Sequence, residues 1–321
     1  MFFHGAIMSE AQVTIVVVPR ERFSYTQQSL ESIYENTNCP FKLVYIDGNS
    51  PNHIKEYLKK QAQQKGFKLI RTEHFLTPNK ARNIGLSHVD TKYVILIDND
   101  VLVKPGWVEA LVRCAEETGA WVVGPLCLEG KDFKTIHMVG GTSMFKEKGN
   151  RRWLVEKRPF MKLPLEKVAS KLRRQATEIL ELHCIFARTE TFEKLGKLDE
   201  KLMSMGEESD FCMTVTNAGK LIYFEPDSVI SYVPPPPLAW SDLPFYFVRW
   251  SKAWCQQSVK HFQEKWNLTD DSPTLKHYEE FVDRHRYIAY TTSRKDLVYI
   301  AKRAILGLIN RFMNWRASSV S

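Results

Sequence analysis

The chain lacks any Cys-x-x-Cys pair and any cysteine–histidine cluster at zinc spacing, which excludes the common structural zinc modules and a thioredoxin-like redox motif. Its six cysteines (Cys39, Cys114, Cys127, Cys184, Cys212 and Cys255) lie far apart and read as buried thiols in a reducing compartment. No apolar run approaches the roughly 18 residues that span a bilayer. Residues 1–12 carry no basic n-region and no signal-peptide core, so they read as a tail, with Met8 as a second candidate start. The expected location is therefore the cytoplasm. No RNP, zinc-finger or helix-turn-helix pattern is present, so no nucleic-acid partner is expected. The net charge of +8 still favours anions, among them nucleotide phosphates and acidic lipid headgroups. No repeat of solenoid length occurs.

What is present is an alternation of strands and helices in the first half. Val13–Val18 is a continuous apolar run, the pattern of a buried strand. Ser24 is placed to cap a helix reaching about Asn36. Strands follow at Phe41–Asp47, Phe67–Arg71, Tyr93–Asp98 and Ala120–Val123, with helices at His53–Lys65, from Pro78 to about His88, and at Pro105–Thr118. Thr77-Pro78 is a helix start, with Thr as cap and Pro at the first position. This repetition predicts an α/β fold, a mostly parallel sheet flanked by helices. Ligands of such sheets bind beyond the carboxyl ends of the strands, where Asp47 and Asp98 both stand.

After Gly140 the pattern weakens. Residues 146–174 are rich in Lys, Arg and Glu and read as a flexible insertion with a short helix over Leu165–Gln175. Leu180–Arg188 resumes as a strand. A helix from Thr189, another over Met205–Gly219 and a strand at Leu221–Phe224 follow. The run Pro234–Pro237 is a stiff break, and 234–321 reads as a mostly helical C-terminal extension.

Four clusters carry chemistry. The strand Tyr93–Asp98 ends in Asp98-Asn99-Asp100, two carboxylates at a sheet edge. Hard divalent cations take such oxygen ligands together with substrate phosphates. An ordinary polar turn gives the same residues. Asp47, in Asp47-Gly-Asn-Ser50, is placed to accept the imide N–H of a uracil ring, or simply to close a turn. Arg82 and Asn83 open a helix in which Arg82 can meet a phosphate or hold an aspartate. Glu207, Glu208 and Asp210 crowd a helix start. Such acids suit a helix N-terminus, and crowding also raises carboxylate pKa values toward those of a general base.

In this order, these parts resemble the family 2 glycosyltransferases of GT-A (Rossmann-like) fold. The resemblance rests on Val16-Val-Val-Pro19-Arg20, Asp47–Ser50, Ala81-Arg82-Asn83-Ile-Gly85, Asp98–Asp100 and Pro105-Gly-Trp107. It continues through Arg188–Glu200, Glu207–Asp210, Ala218-Gly219 and Pro226, and spans about residues 13–233. It implies inverting transfer of a sugar from a nucleoside-diphosphate sugar to a hydroxyl of a glycan or lipid-linked acceptor, as in cell-surface polysaccharide synthesis. Pro19, Asp47, Arg82, Asp98 and Asn99 are the implied donor-binding residues, with a UDP-sugar favoured through Asp47. Asp98 and Asp100 are the implied ligands of Mg²⁺ or Mn²⁺. Glu208 stands at the position of the base, with Glu207 and Asp210 beside it. Two residues depart from the pattern: Glu208 replaces the usual Asp, and Tyr232 stands where a histidine is common.

His183, Trp240 and Trp250 are the acceptor candidates. Residues 294–316 alternate apolar and basic positions at helical spacing, which suits an anionic membrane surface or packing on the protein itself. Two other readings stay open: a degenerate member that only binds glycans or partners, and a sugar-nucleotide nucleotidyltransferase. The second lacks its expected glycine-rich loop, since Val18–Phe23 contains no glycine.

Overall fold

The computed structural model describes residues 10–289 and 305–315. Its elements run β1 (Val13–Val18), α1 (Thr26–Asn36), β2 (Phe41–Gly48), α2 (Asn52–Lys65), β3 (Lys68–Thr72), α3 (Pro78–Leu86), β4 (Tyr93–Asp98), β5 (Val101–Val103) and α4 (Trp107–Thr118). They continue with β6 (Val122–Glu129), β7 (Thr135–Met138), β8 (Thr142–Lys148), β9 (Arg151–Lys157), β10 (Gln175–Ala176), β11 (Cys184–Arg188), α5 (Glu190–Leu195), α6 (Glu207–Asn217) and β12 (Ile222–Tyr232). The C-terminal extension holds α7 (Leu243–Arg249), α8 (Lys252–Trp266), α9 (Pro273–Ile288) and α10 (305–315).

The central sheet has the order β10-β12-β6-β11-β4-β1-β2-β3. Neighbours β3, β2, β1 and β4 are parallel, as are β6 and β12, and β11 runs antiparallel between the two groups. Every residue of β1 is buried because helices cover both faces, which is why that strand reads as an unbroken apolar run. Its even and odd positions feed two different apolar clusters, one on each side of the sheet.

Several boundaries differ from the sequence reading. Helix α1 begins at Thr26 instead of being capped by Ser24, whose hydroxyl donates to Asp242 in the extension. Strands β6 and β12 run to Glu129 and Tyr232, well past the segments expected. The segment read as an insertion holds the closing part of the β8–β9 hairpin, which begins at Thr142 and turns at Gly149-Asn150, with two 3₁₀ turns in place of a helix over Leu165–Gln175. The signal was there: a Gly-Asn pair between runs of alternating character is a hairpin turn. Its abundance of charge hid it.

The hairpin packs on the extension. Thr269 N donates to Arg152 O at 2.8 Å, and Thr274 Oγ1 donates to Leu154 O at 2.9 Å. Leu154 joins the apolar cluster of α7, α8 and α9. Helix α10 docks there too, through Leu306 and Met313 and through Arg286, which donates to Asn310 and Asn314. The first part of the basic amphipathic segment, 294–304, lies outside the described residues, as do residues 1–9. All six cysteines are free thiols; five are buried and Cys39 is half-buried.

Candidate active site

A cavity of about 680 Å³ opens where β4 and β12 end and β11 and α6 begin. Its lining includes Arg20, Arg82, Asp98, Glu181, His183, Glu207, Glu208 and Tyr232, with Trp153 and Arg158 from the hairpin side and Tyr278 from α9.

The motif at Ala81–Gly85 is explained by packing. Ala81 is fully buried. Arg82 Nη2 donates to Asp98 Oδ1 at 2.9 Å and to Leu182 O at 3.1 Å. Asn83 brackets Leu198, donating to its carbonyl at 2.8 Å and accepting from its amide at 3.0 Å. Gly85 faces β1 so closely that a Cβ would stand 2.1 Å from Val16 Cγ1.

Asp98 is fully engaged. Its second oxygen meets His183 Nδ1 at 3.0 Å and Arg20 Nε at 3.4 Å. Burial opposes its ionisation, but Arg82, His183 and Arg20 outweigh burial and hold the carboxyl below its usual range. Asn99 braces the loop after β1, accepting from Arg20 N at 3.0 Å and donating to Arg22 O at 2.8 Å. Pro19 is buried at the same loop.

Asp100 is different. It is wholly buried, neither carboxylate oxygen has a hydrogen-bond partner, and the nearest cation, Arg22 Nε, is 4.0 Å away. Burial and then the charge of Glu21 push its pKa well up, with Arg22 opposing. An orphaned buried carboxylate beside an engaged one fits a hard divalent cation, which would give those oxygens their missing partner. Among the described residues, ligand atoms of Asp98, Asp100 and His183 lie within 4.8 Å of one another, as do those of His137, Glu181 and His183.

The acidic helix start divides its three residues. Gly206 precedes it at φ 84°, and a Cβ there would meet the Phe262 ring at 2.9 Å, so this turn requires glycine. Glu207 and Glu208 line the cavity. Arg249 Nη2 donates to Glu207 at 3.3 Å, and Arg158 Nη2 donates to Glu208 at 3.2 Å. Burial raises the pKa of Glu207, Arg249 opposes, and Glu208 adds to the rise. Asp210 lies outside the lining and turns into the extension, accepting from Trp266 Nε1 and Lys265 Nζ at 2.9 Å each.

Asp47 does not line this cavity either. Its carboxylate accepts from Ser50 N at 2.8 Å and from Arg71, beside a separate depression bordered by Ser50, Arg71 and Phe75. The two tryptophans expected to wall the acceptor are elsewhere. Trp250 is fully buried and donates to Glu21 at 2.8 Å, while Trp240 is exposed away from the cavity. The indole in the lining is Trp153, which reached the site through the unrecognised hairpin. Arg158 was missed for the same reason. Tyr232 donates its hydroxyl to Glu21 and lays its ring on that of His183, with centroids 3.9 Å apart and planes at 15°.

Comparison with known proteins settles the family, because the model for "Glycosyl transferase family 2" matches residues 14–175, half of the chain. The chain belongs to glycosyl transferase family 2. The chain is 22% identical over 229 residues to the pre-mycofactocin glycosyltransferase of Mycobacterium tuberculosis, covering 70% of this chain and 43% of that protein. It is 27% identical over 111 residues to an uncharacterized glycosyltransferase of Rickettsia bellii, covering 35% of this chain and 16% of that protein. The chain thus matches less than half the length of these relatives. Among solved structures, GalNAc-T7 with UDP, GalNAc and Mn²⁺ aligns with a TM-score of 0.56 at 20% identity, over 86% of this chain and 55% of that one. The mannosyltransferase PcManGT from Pyrobaculum calidifontis, in complex with GDP-Man and Mn²⁺, aligns at 0.52 and 16%, over 97% and 85%. These likenesses show a GT-A fold. Among the described residues no helix is long and apolar enough to cross a membrane.

Proposed function

We propose that the chain transfers a sugar from a nucleoside-diphosphate sugar to a hydroxyl of a glycan or lipid-linked acceptor, with inversion. The observation that carries this reading is that Asp98 and the adjacent Glu207 and Glu208, far from it in sequence, line one cavity. Glu208 is the base. It takes the proton of the acceptor hydroxyl as that oxygen forms its bond to the anomeric carbon. The bond from that carbon to the phosphate oxygen breaks, and its electron pair leaves with the nucleoside diphosphate. Mg²⁺ or Mn²⁺, held by Asp98 and Asp100 when bound, supplies charge neutralisation for the departing diphosphate. Arg82 and Asn99 fix the strand end and the loop against which the donor lies. Trp153 offers a ring face for a sugar on the acceptor side.

A uridine donor is the choice that Asp47 supports, with its carboxylate exchanging Arg71 for the imide N–H of the base. The deciding experiment is a panel of UDP-, GDP- and dTDP-sugars with Mn²⁺, scored by thermal shift and by nucleoside diphosphate released with and without EDTA. Metal-dependent turnover of one nucleotide class is expected. No binding and no release across the panel would end the reading.

Contact with an anionic membrane is part of this proposal. On α10, Ile305, Leu308, Phe312 and Trp315 fall on one face and are 49–67% exposed, with Arg311 exposed beside them. The opposite side is the one that packs on the protein. An apolar stripe flanked by basic charge, on a protein of net charge +8, suits the surface that would present a lipid-linked acceptor. Flotation with anionic liposomes should fall on truncation after Tyr290; equal flotation would remove this element.

A further inference from the structure

We infer that His183 is a third ligand of the divalent cation at Asp98 and Asp100. The inference rests on the reading of those two aspartates as metal ligands and adds a residue to it. Three observations converge. Ligand atoms of Asp98, Asp100 and His183 lie within 4.8 Å of one another, a spacing one ion can bridge. His183 is buried, so its ring is not a surface group that happens to be near. Asp100 has two buried oxygens without any hydrogen-bond partner, and its nearest cation, Arg22 Nε, stands 4.0 Å away, so its lone pairs are open to an ion.

The rest of the ring's environment suits a ligand held in one orientation. Nδ1 meets Asp98 Oδ2 at 3.0 Å, and Nε2 faces Glu181 Oε1 at 3.9 Å. With Nδ1 on the ion, the other ring nitrogen carries the proton toward the Glu181 carboxylate, the arrangement by which carboxylates orient metal-binding histidines. Tyr232, stacked at 3.9 Å, blocks rotation of the ring out of this plane.

A second grouping, His137, Glu181 and His183, shares the same imidazole. It is the weaker host. Its carboxylate is already paired with Arg158 Nη1 at 3.3 Å, and His137 lies between Glu129 at 3.4 Å and Glu181 at 3.7 Å. No fully buried oxygen without a hydrogen-bond partner stands there, as both do at Asp100.

The test is Mn²⁺ binding to the full chain, followed by calorimetry and by pulsed electron paramagnetic resonance for ¹⁴N coupling to the ion. Wild type, His183→Gln, His137→Gln and Asp100→Asn are compared, with folding checked by circular dichroism. His183→Asn serves if His183→Gln does not fold. The expected result is nitrogen coupling in wild type that vanishes in the His183 variant, with affinity lower by about tenfold or more, the scale on which even outer partners of a metal act. His137→Gln should keep the coupling. Binding that needs Asp100 but shows no nitrogen coupling, or keeps its coupling without His183, would overturn the inference while leaving the aspartate site standing. Loss of the coupling in His137→Gln would also overturn it, by moving the ion to the second grouping. Absence of Mn²⁺ binding in wild type would overturn it together with the metal reading beneath it.

Discussion

Arg82 Nη2 lies 2.9 Å from Asp98 Oδ1, and both side chains are all but excluded from solvent. The pair joins the middle of α3 to the end of β4. Removing the guanidinium would leave a buried carboxylate with only His183 and the longer contact to Arg20. Breaking one side of such a pair costs about 3–5 kcal/mol, and the two remaining partners place this case near about 3. Arg82→Met should therefore lower the unfolding free energy by about 3 kcal/mol in urea titrations. A loss under about 1 kcal/mol would mean that Arg20 takes over the role.

The three acids at the start of α6 should separate in kinetics. Glu208→Gln is expected to lower kcat by about 10²–10⁴, the usual worth of a positioned base, with nucleotide affinity unchanged. Asp210→Asn should act mainly on stability, because its partners are Trp266 and Lys265 and it does not reach the cavity. Steady-state rates beside thermal melts give the split. A larger kcat loss in Glu207→Gln than in Glu208→Gln would move the base by one residue.

Much of the sheet was legible because a strand buried on both faces must be nearly all apolar, as Ile15–Val18 and Tyr93–Ile97 are. The cavity lining was legible where a residue stands at a strand end, as Asp98 does, at a helix start, as Glu207 and Glu208 do, or within a helix motif, as Arg82 does. What sequence did not reveal is partnership across the fold. Asp47 looked available for a base, but Arg71, 24 residues later, holds it. Trp250 looked like an acceptor wall, but Glu21 holds its indole in the core. Arg158 and Trp153 entered the cavity from a hairpin whose charged, alternating strands resemble a solvated insertion. His183 read as an acceptor candidate, since nothing local places its ring against Asp98.

Asp199 ties the segment before α6 to the extension, meeting His261 Nε2 at 2.8 Å and Lys265 Nζ at 2.9 Å. Partial burial would raise its pKa, but hydrogen bonds from His261 and Lys265 prevail and bring it down to about 2 from an ordinary 3.8. The unfolded chain thus binds a proton at Asp199 before the folded chain does. The stabilisation is present above about pH 4 and is lost as pH falls toward 2. Solvent screening reduces the worth of this half-exposed network to about 1 kcal/mol. Asp199→Asn should cost about that much at pH 7 and flatten the decline of stability between pH 4 and 2. Parallel acid limbs for variant and wild type would show that Asp199 contributes no such linkage.

Gly85→Ala tests the close approach of α3 to β1. Alanine is the better helix former by about 1 kcal/mol, so on propensity alone the change would stabilise. Packing opposes it. The new methyl would fall 2.1 Å from Cγ1 of Val16, a β-branched side chain in a fully buried central strand with no room to rotate away. The helix must lift from the sheet, and overpacking of this kind costs about 1–3 kcal/mol. Because α3 also carries Arg82, the lift should loosen the contact with Asp98 as well. A net loss of about 1–2 kcal/mol in urea unfolding is expected, with weaker nucleotide binding in the surviving folded protein. A variant as stable as wild type would mean that β1 and α3 separate more easily than their packing implies.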